Sequence, residues 1–248
     1  LPTILVMPDC FTSLGGNQFV DSSIMGEWSS WLNKSLKPAI SKHYSTNGKF
    51  ALFGKSSGGF GALHNAIHYP KEWHAIASHS GDVGFDILYR ADFPTTATQI
   101  NQQGNLDDFL AHVKTCSKLN SADFHALMIC AMAASYDSKT DIDDGYGIRL
   151  PFDLNTCQID EAIWERWLTF DPLYSIKQNQ NSLKKLDFFY IDCGNKDQYG
   201  IQYGSRILIK LLQEYGINHH WEEFEGTHSG IENRLDISMP LLAKALHT

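Results

Sequence analysis

The sequence predicts an α/β fold, with a mostly parallel sheet flanked by helices and a mainly helical insertion. Three observations predict it. Short, continuous apolar runs recur along the chain, as in strands buried on both faces. Amphipathic helical stretches fall between them, which is the rhythm of a parallel sheet. One strand, Phe50-Ala-Leu-Phe53, runs through an abrupt turn at Gly54-Lys-Ser-Ser-Gly58 into a helix that opens with small residues. The 248 residues suit one domain, 1–248, containing an insertion over 85–177.

In chain order, Thr3-Ile-Leu-Val-Met-Pro8 reads as a strand buried on both faces, ended by Pro8-Asp9. The polar loop that follows, Asp9–Gly16, starts at the edge of the sheet where open α/β folds bind ligands. It is either a wall of the site, through Asp9, Cys10 and Phe11, or an ordinary surface connection. Met25–Ser41 has helical spacing, with Trp28 and Trp31 on the core side and Pro38 set to kink or end it. The strand Lys49–Phe53 leads to the serine turn, and its helix runs to Tyr69 before Pro70. His74–His79 is the next buried strand, closed by Ser80-Gly81-Asp82.

The β–α rhythm then breaks. Helical patterns at Asp107–Cys116, Ser121–Ser135 and Asp160–Phe170 suggest a cap over the site, or helices packed beside the sheet. Trp164 and Trp167 in this insertion are candidate substrate contacts and equally candidates for cap core. Asp141, Asp143 and Asp144 lack the spacing of an EF-hand loop. The rhythm resumes with strand Leu186–Asp192, helix Gly204–Tyr215 capped by Gly216, strand Asn218–Phe224 and helix Asp236–Leu246.

Composition excludes several classes. The net charge is −8 without a Lys/Arg run, which argues against a nucleic-acid or anionic-membrane surface. No 18-residue apolar run or signal peptide is visible. Five scattered cysteines without a C-x-x-C read mostly as free thiols, give no zinc signature, and fit a reducing, cytoplasmic location.

The serine turn carries the chemistry. G-x-S-x-G holds Ser56 in a strained turn with its hydroxyl clear of the sheet, and side chains at 54 or 58 should collide with the neighbouring strand and helix. The helix begins under Ser56, so its first amides, that of Ser57 above all, face an anion formed there. A serine needs a base, and the base needs an acid to fix its tautomer. His228 is the best placed of eleven histidines, in a Gly-flanked loop past the last strand, with His79 the nearest rival. Asp197 is the best acid, in the turn after strand Leu186–Asp192, with Asp192 its rival. No metal or organic cofactor is needed for this chemistry.

Gly54-Lys-Ser-Ser-Gly-Gly-Phe-Gly-Ala62, Asp192-Cys-Gly-Asn-Lys-Asp-Gln-Tyr199 and Phe224-Glu-Gly-Thr-His-Ser-Gly230 resemble the esterase family of α/β-hydrolases that includes esterase D and enterochelin-esterase-like proteins. Met7-Pro-Asp9 and Gly15-Gly-Asn-Gln18 resemble that family's loop ahead of the serine turn. The resemblance implies Ser56 as nucleophile, Asp197 as acid and His228 as base, acting on small carboxylic esters or thioesters. It leaves open transfer of the acyl group to a sugar or alcohol, and a non-catalytic binding module of the same fold. Such proteins carry earlier strands, one ending in a His-Gly motif that supplies an oxyanion amide. The sequence, starting at Leu1, is therefore expected to be a fragment, or to have its sheet completed by a second chain or copy, and the second oxyanion donor has no owner in it.

Overall fold

The computed structural model describes residues 2–139 and 145–248. Asp141, Asp143 and Asp144 lie outside the described residues. The chain forms two compact units, one of Leu1–Asp9, Ser29–Leu88 and Asp171–Thr248, the other of Cys10–Trp28 and Tyr89–Phe170.

The first unit is built on four parallel strands, β1 (Ala51–Lys55), β2 (Ala75–His79), β3 (Phe188–Gly194) and β4 (His220–Phe224), paired in that order. Its principal helices are α1 (Lys37–His43), α2 (Ser57–His68), α7 (Pro172–Gln178), α8 (Ile201–Glu214) and α9 (Leu235–Ala245); α3 to α6 belong to the second unit. Alternation along β2 assigns the two faces. Ser78 donates to Gly59 O of α2, whereas His79 next to it reaches Ser238 of α9. The α9 face is packed by Ala75, Ala77, Tyr190, Leu242 and Ala245, and the two alanines let the helix lie close. β2 is buried throughout, while every residue of β1 is half-buried, because β1 is an edge strand of an open sheet.

That edge explains one correction. Thr3–Pro8 is not a strand, and Ile4, Leu5, Val6 and Met7 are exposed, Met7 by 79%. Apolar, β-branched composition favours a strand only where a partner supplies the ladder for its backbone. Among the described residues this segment joins no sheet, and β1 pairs with β2 alone.

The Met25–Ser41 pattern becomes helical at Trp28–Trp31 and continues through a π-turn, Leu32–Leu36, into α1. Pro38 does not end it. It stands at the start of α1, where a missing N–H is tolerated, and the wider turn precedes it. Trp28 and Trp31 are half-buried rather than core; Leu32 and Asn33 take the buried positions.

The second unit is helical: α3 (Phe93–Gln103), α4 (Leu106–Thr115), α5 (Ser121–Tyr136) and α6 (Glu161–Leu168). Residues 93–103, Phe-Pro-Thr-Thr-Ala-Thr-Gln-Ile-Asn-Gln-Gln, show little helical signal in sequence, yet Phe93, Thr96, Ala97 and Ile100 form a buried stripe. No described helix is long and apolar enough to cross a membrane.

Candidate active site

The serine turn is built by close backbone approach. Ser56 has φ 54° and ψ −124°, a conformation that non-glycine residues rarely adopt, and its N–H donates to His79 O at 2.9 Å. A Cβ on Gly54 would lie 2.4 Å from the Gly58 carbonyl carbon, so only glycine fits there. Gly58 itself meets nothing within 4 Å, contrary to the expected collision. The tight position is the next one, since a Cβ on Gly59 would stand 2.8 Å from Gly81 Cα. The loop leaving β2 makes the tightest contact, with the Gly54 carbonyl oxygen of the nucleophile strand next at 3.1 Å after Ser78 Oγ at 3.0 Å. Ser57 opens α2 and the first helical bond closes from Phe60 N to Ser56 O at 2.9 Å, which puts the Ser57 amide at the helix's positive end.

Two loops leaving β3 and β4 bring acid and histidine together. Asn195 N donates to Phe224 O and Lys196 N to Gly226 O, each at 2.9 Å. A Cβ on Gly194 would sit 2.5 Å from Gly226 O, so the loops zip only because Gly194 has none. Asp197 Oδ1 accepts from Tyr199 N at 2.9 Å, which leaves Oδ2 facing His228 Nδ1 at 2.7 Å. A carboxylate only accepts, so Nδ1 carries the hydrogen and Nε2 is left with a lone pair. The His228 backbone is pinned by Gln198 Oε1 at 3.1 Å, and Tyr199 meets the ring edge-on at 4.8 Å. Asp197 and His228 are both buried, at 4% and 8% exposure. Cys193 lies 4.0 Å from Asp197 Oδ2, and burial pushes its thiol up to about 12, so it adds no charge beside the pair.

Ser56 and His228 share no hydrogen bond among the described residues. The Ser56 hydroxyl instead donates to Asp82 Oδ1 at 3.4 Å. In the sequence, Ser80-Gly81-Asp82 reads only as turn chemistry, with no role for Asp82. Its signal is its place, just past the C-terminal end of the strand next to β1.

The rival pair, His79 and Asp192, has its own circuit. His79 Nδ1 meets Asp192 Oδ1 at 2.8 Å and Nε2 meets Ser238 Oγ at 2.9 Å. Asp192 Oδ2 accepts from Arg234 Nε at 2.8 Å and from the Tyr190 hydroxyl at 3.1 Å, and Arg234 also pairs with Glu222. His79, Tyr190, Asp192, Arg234 and Ser238 are buried, and Glu222 is half-buried at the rim of the circuit.

The remaining candidates stand apart by environment. Asp9 and Phe11 are exposed and Cys10 is half-buried. Trp164 and Trp167 are buried within the second unit, Trp167 against Tyr89, Phe93 and Tyr136 and Trp164 against Phe93. Packing inside that unit accounts for their burial.

A parallel sheet flanked by helices, with a strand–serine-turn–helix at 51–68, defines an α/β-hydrolase. The family model Esterase, described as "Putative esterase", matches residues 20–232, and the chain belongs to that family of carboxylic ester hydrolases. Similar solved structures include a ferulic acid esterase, with 13% identity, TM-score 0.55, 95% of this chain and 67% of that one covered. An S-formylglutathione hydrolase from Staphylococcus aureus has 10% identity and TM-score 0.51, with 94% and 69% covered. A capsule O-acetyltransferase of Neisseria meningitidis serogroup A has 15% identity and TM-score 0.50, with 92% and 69% covered. No curated protein sequence matches the chain significantly.

Proposed function

We propose that Ser56, His228 and Asp197 act as one acyl-transfer device on small carboxylic esters. The observation that carries this reading is the buried Asp197–His228 bond, which fixes the imidazole as a base beyond the sheet edge. Ser56 turns from Asp82 to His228 Nε2, which takes the hydroxyl proton as Oγ attacks the ester carbonyl. The oxyanion is held by the Ser57 amide, a contact of a kind that contributes about 3 kcal/mol in such sites. His228 then gives its proton to the departing alcohol, leaving an acyl group on Ser56. Water loses a proton to Nε2 and attacks that acyl group; the Ser56 Oγ–acyl bond breaks, Nε2 returns the proton to Oγ, and the acid is released. Asp197 stays ionised throughout and stabilises the imidazolium. Free cysteines at all five positions support a reducing compartment for this activity.

The test is Ser56→Ala, which should cut hydrolysis of a small aryl ester by roughly 10⁴-fold. A drop under about tenfold would remove Ser56 from the mechanism. A fluorophosphonate should label Ser56; a non-catalytic binding module would stay unlabelled. The likeness to an O-acetyltransferase supports one further reading, transfer of the acyl group to a sugar or alcohol. Adding such an acceptor during turnover separates the two by whether free acid or acylated acceptor accumulates.

A further inference from the structure

We propose that Arg234 is a positioning residue for acyl transfer, whose guanidinium joins the two ends of the loop carrying His228 and ties them to the strand that leads to Asp197. The inference rests on His228 being the base.

The loop has little core of its own. It leaves β4 at Phe224 and runs through residues 225–233 to Arg234 and α9. Glu225, Thr227, Ser229 and Glu232 are exposed, while His228, Ile231 and Arg234 are buried. A segment with few buried apolar contacts is held by its anchors rather than by its own packing.

Arg234 joins those anchors. Its guanidinium carbon lies 4.5 Å from the centre of the Phe224 ring, at the loop's entry, and Nη2 meets Glu222 Oε2 of β4 at 2.6 Å. A Cβ on Gly226 would stand 2.7 Å from the same Phe224 ring, so the ring packs on the loop's first turn as well. Arg234 itself ends the short 3₁₀ turn at the loop's exit, and its N–H donates to Ile231 O at 3.0 Å. The Asn195 and Lys196 amides hold the entry and Gln198 Oε1 holds the middle; Arg234 secures the exit.

The same guanidinium reaches β3. Nε donates to Asp192 Oδ2 and Nη2 to the Tyr190 hydroxyl, each at 2.8 Å. Asp197 stands one turn beyond Asp192, so the strand that delivers the acid and the loop that delivers the histidine are fixed to one side chain. The other Asp192 oxygen faces His79 Nδ1 at 2.8 Å, and the His79 carbonyl takes the Ser56 N–H at 2.9 Å, which brings the nucleophile turn into the same network. Arg234 is 7% exposed. A planar fork serves partners on two strands at once, which a single ammonium does not.

For catalysis this fixes a distance. His228 has to reach Ser56 Oγ and then the departing alcohol, and a misplacement of about 1 Å costs such a pair about a hundredfold. The Asp197 bond orients the imidazole ring; Arg234 sets where the loop beneath it stands.

Arg234→Lys keeps the charge and gives up the fork. Ethyl and nitrophenyl esters of one acid read its effect, because departing ethoxide depends on the His228 proton and nitrophenolate scarcely does. The fall in kcat/KM should be about tenfold larger on the ethyl ester than on the nitrophenyl ester. Phe224→Leu removes the ring and leaves every charge paired; it should give the same split at smaller size, and it decides alone if Arg234→Lys does not fold. Equal falls on the two esters, or no fall, would overturn the proposal and leave Arg234 a role in stability only. A His228→Ala variant that keeps the wild-type rate would instead remove the base, and the reading of the site on which the proposal rests.

Discussion

At the scale of residues, the first unit contains two buried histidine–aspartate pairs with similar bond lengths. In one, His228 meets Asp197 at 2.7 Å; in the other, His79 meets Asp192 at 2.8 Å and Ser238 at 2.9 Å. The bond to the acid alone does not separate the pairs, and the serine bonded to histidine is the one on His79, but access separates them. Ser238 sits inside α9, fully buried, on ordinary helical backbone, and Asp192 is neutralised by Arg234. No ester carbonyl can approach that hydroxyl. Ser238→Ala should therefore leave esterase activity within about twofold and cost about 1 kcal/mol of stability from the lost bond. Parallel rate and urea-unfolding measurements check both, and a large loss of rate with stability unchanged would mean the wrong serine has been assigned. From sequence His79 and Asp192 are fair rivals for His228 and Asp197. What disqualifies them is their bonding to one another and to Arg234, a long-range fact that no local motif carries.

At the scale of elements, the serine turn was legible because its constraints are local: strand, glycine, serine and helix lie within a few residues. The same locality made strands β1 to β4 readable from their apolar runs, to within a few residues at their ends. Gly58 and Gly59 mark where locality fails. The glycine that the motif names has open space, and the glycine just outside it touches Gly81, more than twenty positions away in sequence. Gly59→Ala should thus cost about 1–3 kcal/mol through overpacking. Gly58→Ala should be neutral or stabilising by up to about 1 kcal/mol, since alanine is the better helix former. Thermal unfolding of the two variants side by side decides this, and equal melting temperatures would contradict the assigned spacing. Helix α3 was missed for a related reason. Its three threonines, Pro94 and Asn101 are weak helix formers, and the helix is secured by burying Phe93 and Ile100. Thr3–Pro8 is the converse case, a segment with strand composition and no ladder to join.

At the scale of the whole molecule, unpaired apolar surface and buried titrating groups set behaviour in solution. The open edge of β1 and the exposed run Ile4-Leu5-Val6-Met7, with Leu5 49% exposed, form the kind of surface that drives strand-to-strand association. Replacing Leu5 and Val6 by Lys should lower light scattering at a given concentration without lowering the melting temperature. A melting temperature that falls instead would mean these side chains are part of the core. Two buried groups contribute to acid stability with opposite sign. Burial, and then the neighbouring charge of His68, hold the His64 imidazole down to about 3 from 6.5. Below pH 6.5 the unfolded chain takes up that proton and the folded one does not, so folding weakens as pH falls toward 3. The greatest slope from one such group is about 1.4 kcal/mol per pH unit. Asp171 works the other way. It caps Gly84, Phe85 and Leu173 amides, yet burial pushes its carboxyl up to about 6 from 3.8. Between those values the folded state holds more protons, so Asp171 strengthens folding on acidification. The two contributions oppose each other between about pH 6 and 4. His64→Leu removes one of them. Its stability relative to the wild type should therefore rise steadily as pH drops from 6.5, by up to about 1.4 kcal/mol per unit, as read from urea midpoints at several pH values. A difference that stays constant with pH would show that His64 titrates alike in the folded and unfolded chains.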